Sequence, residues 1–164
     1  MIEIRRTTLV DWLTWKEMRL TALRSAPTAY GETYAIAVNG DDHYWQKWWL
    51  ERGDDIAMRA MAFVGGVPAG QIGCVQWRGP DTVPMLISMW VEERFRGSGV
   101  ADALVQDVLE WAKDCGYQQV ELGVTEGNDT ARKLYLRHGF EPTGGWEDLA
   151  SFPGLRIEVM MREL

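Results

Sequence analysis

The sequence has few cysteines and no long apolar run. Cys74 and Cys115 are the only two cysteines among 164 residues, and their spacing matches no metal-binding or redox motif. We interpret them as reduced, packed residues, which favours a cytoplasmic protein over a secreted, disulfide-bonded one. No apolar stretch reaches the length of a membrane helix, and the N-terminus resembles a strand rather than a signal peptide. These absences argue against a membrane partner.

Positive charge is also scarce. Lys and Arg total 17 against 24 Asp and Glu, which gives a net charge of −7 at pH 7. This balance argues against nonspecific binding of nucleic acid, and any phosphate site must be built locally against the overall field. The length, with 46% hydrophobic and 25% charged residues, is typical of a globular protein and predicts one domain over residues 1–164. Nine tryptophans are many for this length, and most are expected in the core.

Apolar periodicity predicts an α/β (α+β) fold. The predicted elements are, in order, a strand over residues 2–6, helices over 11–25 and 41–53, strands over 56–64, 67–77 and 83–91, a helix over 100–114, a strand over 118–124, a helix over 129–138, and strands over 140–143 and 156–162. An antiparallel meander followed by a strand–helix–strand unit indicates a mixed, mostly antiparallel sheet with helices on both faces.

The most informative stretch is residues 91–101, where a predicted strand passes through a short loop into a helix. Glycines in this loop let the backbone come close to a ligand. The first N–H groups of the helix have no helical partner and attract negative charge. We therefore expect a phosphorylated ligand on six consecutive residues, Gly97, Ser98, Gly99, Val100, Ala101 and Asp102.

Three phosphate-binding motifs compete for this loop. The absence of a following Gly-Lys-Ser/Thr excludes a P-loop. A dinucleotide site is supported by Gly97 and Gly99 and by Glu121 about 20 residues on. However, Asp102 takes the place of the third glycine, and Glu121 lies inside its strand. The third motif is a pyrophosphate turn of the acyl-CoA type.

Two separate blocks of the sequence resemble the GCN5-related N-acetyltransferase (GNAT) family. The first, residues 96–101, matches the motif Arg/Gln-x-x-Gly-x-Gly/Ala of that family. The second fits its strand–Asn–helix–Tyr–Gly-Phe pattern with Leu122, Val124, Asn128, Ala131, Leu134, Tyr135, Gly139 and Phe140. The match covers residues 83–143, and Glu93 departs from it because many members have proline there.

The resemblance implies a GNAT-type domain, an acyltransferase that moves an acetyl group from acetyl-CoA to a primary amine of a small molecule or peptide. Its acetyl-CoA core would be residues 83–143, with acceptor-side elements at roughly 1–55 and 144–152. The pantetheine arm would pair with the backbones of Met89, Trp90 and Val91. The pyrophosphate would lie on the amides of residues 97–102. Related proteins are often dimers, so a homodimer is left open.

Several basic and polar side chains would complete the cofactor site by the same resemblance. Arg94 and Arg96 would add positive charge at the pyrophosphate. Asn128 would bind the cofactor, cap its helix, or do both. The basic residues of the second block would reach the adenosine phosphates or, equally, form a solvated helix face; they are Arg132, Lys133 and Arg137.

Tyr135 is the predicted catalytic residue. The leaving group is a thiolate whose thiol has a pKa of ~8.5, and a tyrosine with a pKa of ~10 can donate a proton to it. The acceptor amine, with a pKa of ~10.4, is free in only about 1 in 10³ molecules at pH 7. Water or one of four carboxylates would assist it, namely Glu32, Asp81, Glu92 and Glu121. No side chain suggests an acyl-enzyme, so direct attack is the simpler mechanism.

The acceptor is less determined than the donor. Candidate walls of its pocket are Tyr30, Trp77, Trp90 and Trp146, and aromatic walls in an acidic protein suit a cationic amine. Two further functions are compatible with the sequence. One is a noncatalytic, regulatory acyl-CoA-binding module, and the other is a nucleotide-dependent oxidoreductase.

Overall fold

Seven strands form one sheet in the computed structural model, which describes all 164 residues. The strands are β1 (Ile2–Arg6), β2 (Ala57–Val64), β3 (Val67–Val75), β4 (Met85–Val91), β5 (Gln119–Thr125), β6 (Glu141–Asp148) and β7 (Arg156–Glu163). The helices are α1 (Trp12–Ser25), α2 (Tyr34–Val38), α3 (Asp42–Glu51), α4 (Val100–Asp114) and α5 (Asp129–Arg137). The sheet order is β1-β2-β3-β4-β5-β7-β6, and only β4 and β5 pair in parallel. This confirms the predicted mixed, mostly antiparallel sheet.

The helices cover both faces of the sheet, as predicted. Along β2, Met58 and alternate residues after it pack in one core with the apolar side of α4. Met61 and Phe63 point the other way, into a core formed with Trp15 of α1 and Trp45 of α3. This alternation is the ordinary period of a strand buried on both faces.

Two elements differ from the sequence prediction. The short helix α2 was not predicted, because five residues carry too little periodicity; Thr33 begins it by accepting a hydrogen bond from the Ile36 amide. Strand β6 continues to Asp148, whereas the prediction ended it at residue 143. Its glycine pair suggests a turn, but a shift in the β6–β7 register between Pro142 and Trp146 absorbs those residues within the strand.

The centre of the sheet is split. β4 and β5 pair only at Met85 and Glu121, so the strands diverge toward their carboxyl ends. An extra residue in β4 shifts its register with β3 between Gln71 and Gly73, and Ser88 at this bulge has a φ of 59°. The result is a gap at the carboxyl ends of β4 and β5, from which the chain continues to α4 and α5.

The two cysteines occupy different environments. Cys74 is buried on β3 and Cys115 is exposed after α4, and both are free thiols. The prediction that both are packed is therefore wrong for Cys115, which lies at the solvent-facing end of its helix. None of the helices has the length and apolar character that crossing a membrane requires.

Candidate active site

The gap between β4 and β5 opens into a cavity of about 660 Å³ on the α1–α3 side of the sheet. Residues from both acceptor-side and donor-side elements line it. The predicted site residues among them are Tyr30, Glu32, Trp77, Met89, Glu121, Asn128 and Tyr135. The fold therefore brings the predicted acid, one predicted backbone contact and two candidate bases to one cavity.

The glycine turn before α4 has the conformation that an anion site needs. Gly97 and Gly99 have φ values of 74° and 92°, a region that favours glycine. The first helical hydrogen bond runs from the Ala103 amide to the Gly99 carbonyl at 3.0 Å. The amides of Val100, Ala101 and Asp102 consequently have no partner inside the helix. The Ser98 hydroxyl donates to the Phe95 carbonyl and steadies the loop.

The Asp102 carboxylate joins two helices. It accepts hydrogen bonds from Arg137 at 2.8 and 3.1 Å, and His138 Nε2 lies 2.7 Å from it. The hydrogen bond from Arg137 lowers the pKa of Asp102 below its usual value, and His138 acts in the same direction. The backbone amide of Asp102 thus remains available at the glycine turn, while its side-chain carboxylate is paired with Arg137 and His138 at the end of α5.

Most predicted phosphate-binding cations already have partners in the protein. Arg94 pairs with Glu92 at 2.6 Å, and Arg132 pairs with Glu158 at 2.7 Å. Arg137 is held by Asp102, as described above. Lys133 is the α5 cation in no ion pair. These pairings favour the solvated-face interpretation for Arg132 and leave Lys133 as the α5 cation free to meet a phosphate.

The register of β4 selects among its predicted backbone contacts. Trp90 pairs with Gln71 of β3, and the Glu92 amide donates to the Ala69 carbonyl at 2.9 Å. In an antiparallel ladder, hydrogen-bonded groups alternate, so the backbone groups of Val91 face the gap while those of Trp90 face β3. The Val91 carbonyl accepts from Arg96 Nε at 3.1 Å. Of the three predicted pantetheine contacts, the backbone of Trp90 is thus already paired with β3, whereas the contacts of Met89 and Val91 stay predictions.

Tyr135 lies on the wall of the cavity. Its side chain is only 6% exposed and packs edge-on against Phe140, with ring centroids 5.9 Å apart. Burial raises the pKa of the phenol above its usual value, with a smaller effect from Tyr30. The raised pKa keeps the phenol protonated at neutral pH. No group of the protein accepts a hydrogen bond from this hydroxyl, so its proton is free to be offered to a ligand.

Asn128 begins α5 at the edge of the same cavity. Its Oδ1 accepts a hydrogen bond from the Ala131 amide at 3.3 Å, which confirms the predicted cap. Its contact with a cofactor stays a prediction.

Two of the four candidate bases reach the cavity. Glu32 accepts a hydrogen bond from the Tyr44 hydroxyl and lies 3.4 Å from Arg19. Glu121 is largely buried and lies 3.5 Å from Arg78. Asp81 and Glu92 do not line the cavity: the first is in the turn before β4, and the second is paired with Arg94.

The four candidate aromatic walls divide in the same way. Tyr30 and Trp77 line the cavity, and the Tyr30 hydroxyl donates to the Met89 carbonyl at 2.8 Å. Trp146 lines a smaller neighbouring pocket beside Asn128. Trp90 is not a wall, because its side chain is buried in the core beneath α1. The prediction for Trp90 was wrong: its side chain is on the same face of the sheet as the cavity, but it is buried among the apolar residues of that face and does not line the cavity.

Sequence reasoning missed the arginines that line the cavity below α1 and α3. They are Arg19 on α1, Arg52 after α3 and Arg59 on β2. The sequence does single out Arg59, because it is the one charged residue of the apolar strand β2. No spacing connects it with the other two, which lie on different elements.

Comparisons with known proteins agree with this architecture. The family model described as "Acetyltransferase (GNAT) family" matches residues 15–140. Human N-acetylaspartate synthetase is 39% identical over 82 residues, which cover 50% of this chain and 27% of that protein. An uncharacterized N-acetyltransferase from Methanocaldococcus jannaschii is 32% identical over 123 residues, 67% of this chain and 54% of the relative. The chain thus spans about half or less of these relatives.

A solved structure has the same fold. YncA from Salmonella typhimurium, determined with its cofactor acetyl-CoA, superposes with a TM-score of 0.82 at 19% identity. The superposition covers 100% of this chain and 94% of that one. At this identity the likeness concerns the fold.

Proposed function

Because this chain belongs to the GNAT acetyltransferase family, we propose that it transfers the acetyl group of acetyl-CoA to a primary amine by direct attack. One observation carries the proposal. The buried, neutral phenol of Tyr135 lines a cavity that also reaches Met89 on the open edge of β4 and Asn128 at the start of α5. The phenolic proton of Tyr135 would therefore lie beside the position expected for the end of the pantetheine arm.

The residues present fit acetyl-CoA as the donor. The amides at the start of α4 have no helical partner, and a Cβ at Gly97 would meet nothing within 4 Å, so the turn is open to a ligand. The backbone of Val91 faces the gap, where the amides of a pantetheine arm can extend the strand. The structure of YncA, which has the same fold, was determined with acetyl-CoA as its cofactor. When bound, acetyl-CoA supplies an acetyl thioester, which an amine can attack without an acyl-enzyme.

The chain's own residues would then manage two protons. Tyr135 would hold its phenolic proton until it is given to the departing sulfur. Glu32 or Glu121 would accept the proton of the acceptor ammonium, directly or through water. Both carboxylates face the cavity. The other contribution is positioning, because the strand edge and the turn fix the donor relative to Tyr135.

An amino acid or a peptide terminus is the proposed class of acceptor. The human relative is named for N-acetylaspartate, an amino acid acetylated on its amine. We also place the protein in the cytoplasm, which is consistent with two free thiols.

Thiol release from acetyl-CoA across a panel of amines tests this function. The expected result is release that depends on the amine, together with thermal stabilisation of the protein by CoA. Stabilisation by CoA with no release for any amine would instead indicate a noncatalytic acyl-CoA-binding module. Stabilisation by NAD and not by CoA would indicate the oxidoreductase.

A further inference from the structure

The cavity carries positive charge at the end formed by α1, α3 and β2. Four cationic side chains line this arginine end, namely Arg19, Lys47, Arg52 and Arg59. Glu32 is the carboxylate that faces them, and it is shared between Arg19 at 3.4 Å and the Tyr44 hydroxyl. The end is therefore locally positive in a protein whose net charge is −7.

Arg59 is the centre of this end and has no anionic partner. Its guanidinium carbon lies 3.9 Å from the ring centroid of Trp48, 4.4 Å from that of Trp15 and 5.2 Å from that of Trp49. Its Nε is buried without a hydrogen-bond partner, and the residue forms no ion pair. Burial, followed by the charges of Arg19 and Arg52, lowers the pKa of Arg59 below its usual value. The protein thus holds a cation where an unpaired charge is unfavourable.

The neighbouring arginines, Arg19 and Arg52, also have guanidinium groups that the protein leaves incompletely paired. Arg19 Nη1 is also buried without a partner, although the same side chain reaches Glu32. The Arg52 guanidinium lies 4.9 Å from the Trp48 ring and is in no ion pair. Guanidinium N–H groups suit planar, two-oxygen anions, and burial strengthens such contacts.

The aromatic walls here are already covered by cations of the protein. Arg19 lies 4.6 Å from the Tyr30 ring, and Lys47 lies 5.3 Å from the Tyr44 ring. A substrate ammonium would meet positive charge rather than free aromatic faces. This is the reverse of the sequence-based expectation, in which aromatic walls favoured a cationic acceptor.

We propose that the arginine end binds a carboxylate of the acceptor, so that the acceptor is an α-amino acid or another small amine bearing an acid group. The inference rests on the proposed acetyl transfer and names its substrate class. The carboxylate would lie at the arginine end, and the amine would face the rest of the cavity, which Tyr135 also lines.

Matched acceptors test the inference in the unaltered protein. Each α-amino acid of a panel is compared with its carboxamide, which keeps the size but removes the negative charge. Because the carboxamide also lowers the pKa of the neighbouring amine, kcat/KM is expressed per free amine. We expect kcat/KM for the acid to exceed that for the carboxamide at least about tenfold, the effect of one hydrogen bond to a charged group. Equal values, or a preference for the carboxamide, would overturn the inference. A preference for the corresponding aminophosphonate would overturn the carboxylate assignment.

Variants then locate the effect. Arg59→Gln should lower kcat/KM for the acid by about 10–100-fold, mainly through KM, and leave the carboxamide nearly unchanged. Arg24→Gln is the matched control, since Arg24 also stacks on an aromatic ring, at 5.3 Å from Tyr34, but does not line the cavity. It should change neither acceptor. An equal loss for both acceptors in Arg59→Gln would contradict the inference.

A second variant and the unaltered protein separate failure of the carboxylate site from failure to fold and from failure of acetyl transfer. If Arg59→Gln does not fold, Arg52→Gln should show the same selective loss to a smaller degree, because Arg52 is at the end of a helix. Absence of thiol release from every amine in the unaltered protein would defeat the proposed function itself. Release that is indifferent to the acid group would leave acetyl transfer standing and defeat only the carboxylate site.

Discussion

Replacing Gly97 by alanine separates the binding role of the glycine turn from its structural role. Gly97 has a φ of 74°, and an added Cβ would meet nothing within 4 Å. The cost to folding is therefore backbone strain alone, about 1–2 kcal/mol for an L-residue in the left-handed region. Relief of that strain would rotate the amides that face the proposed pyrophosphate. Loss of one hydrogen bond to a charged group, about 1.5–3 kcal/mol, weakens CoA binding about 10–100-fold.

Gly116→Ala is the matched control. Gly116 has a φ of 85°, also has nothing within 4 Å of an added Cβ, and follows the opposite end of α4. Denaturant unfolding without ligand should show similar destabilisation for both variants. Calorimetric titration with CoA should show weaker binding only for Gly97→Ala. Equal CoA affinity in the two variants would refute the assignment of this turn to the pyrophosphate.

Three further predictions concern the surroundings of the site. Asp102→Asn should lower the free energy of unfolding by about 0.5–1 kcal/mol at pH 7, a value reduced for solvent screening. The folded-state pKa of Asp102 is lowered, so its ion pair with Arg137 stabilises the protein fully above the unfolded-state pKa of about 4. The difference in unfolding free energy between the two proteins should vanish as the pH falls through the folded-state pKa. A difference that stays constant with pH would contradict this expectation. Glu32→Gln and Glu121→Gln should be compared by their pH–rate profiles. The variant that removes the general base should lose about 10²–10⁴-fold in kcat/KM near pH 7, while the other variant stays near the value of the unaltered protein. If neither variant is affected, water is the group that accepts the proton of the acceptor amine. Asn128→Ala and Asp41→Ala each remove a cap and should cost about 1 kcal/mol, but only the first should also weaken CoA binding; equal CoA affinities would leave Asn128 a cap alone.

The sequence was most predictive where local signals agree. The bounds of α4 were predicted at both ends, because a strong apolar period lies between Gly99 and Gly116. Asn128 and Asp41 likewise begin helices as their residue types suggest. Positions defined by one segment of chain, such as the glycine turn, were therefore accessible without a structure.

The parts that sequence did not predict depend on distant contacts. The bulge at Ser88 exists only in the register of β4 against β3, and this register decides which backbone groups of β4 pair with β3 and which face the gap. The arginine end combines residues of α1, α3 and β2, whose proximity follows from packing on one face of the sheet. Acceptor specificity is built from such contacts, which is why the donor half was predicted in more detail.

Proton donation by Tyr135 to the departing thiolate is the central step of the proposed acetyl transfer. Its most direct test is the single-turnover rate of acetyl transfer in Tyr135→Phe, with acetyl-CoA saturating and with Tyr34→Phe as a control outside the cavity. Because the Tyr135 hydroxyl has no partner in the protein, the variant should fold and bind CoA normally. We predict a rate about 10²–10⁴-fold below that of the unaltered protein, with Tyr34→Phe unchanged. A rate for Tyr135→Phe equal to that of the control would contradict the mechanism.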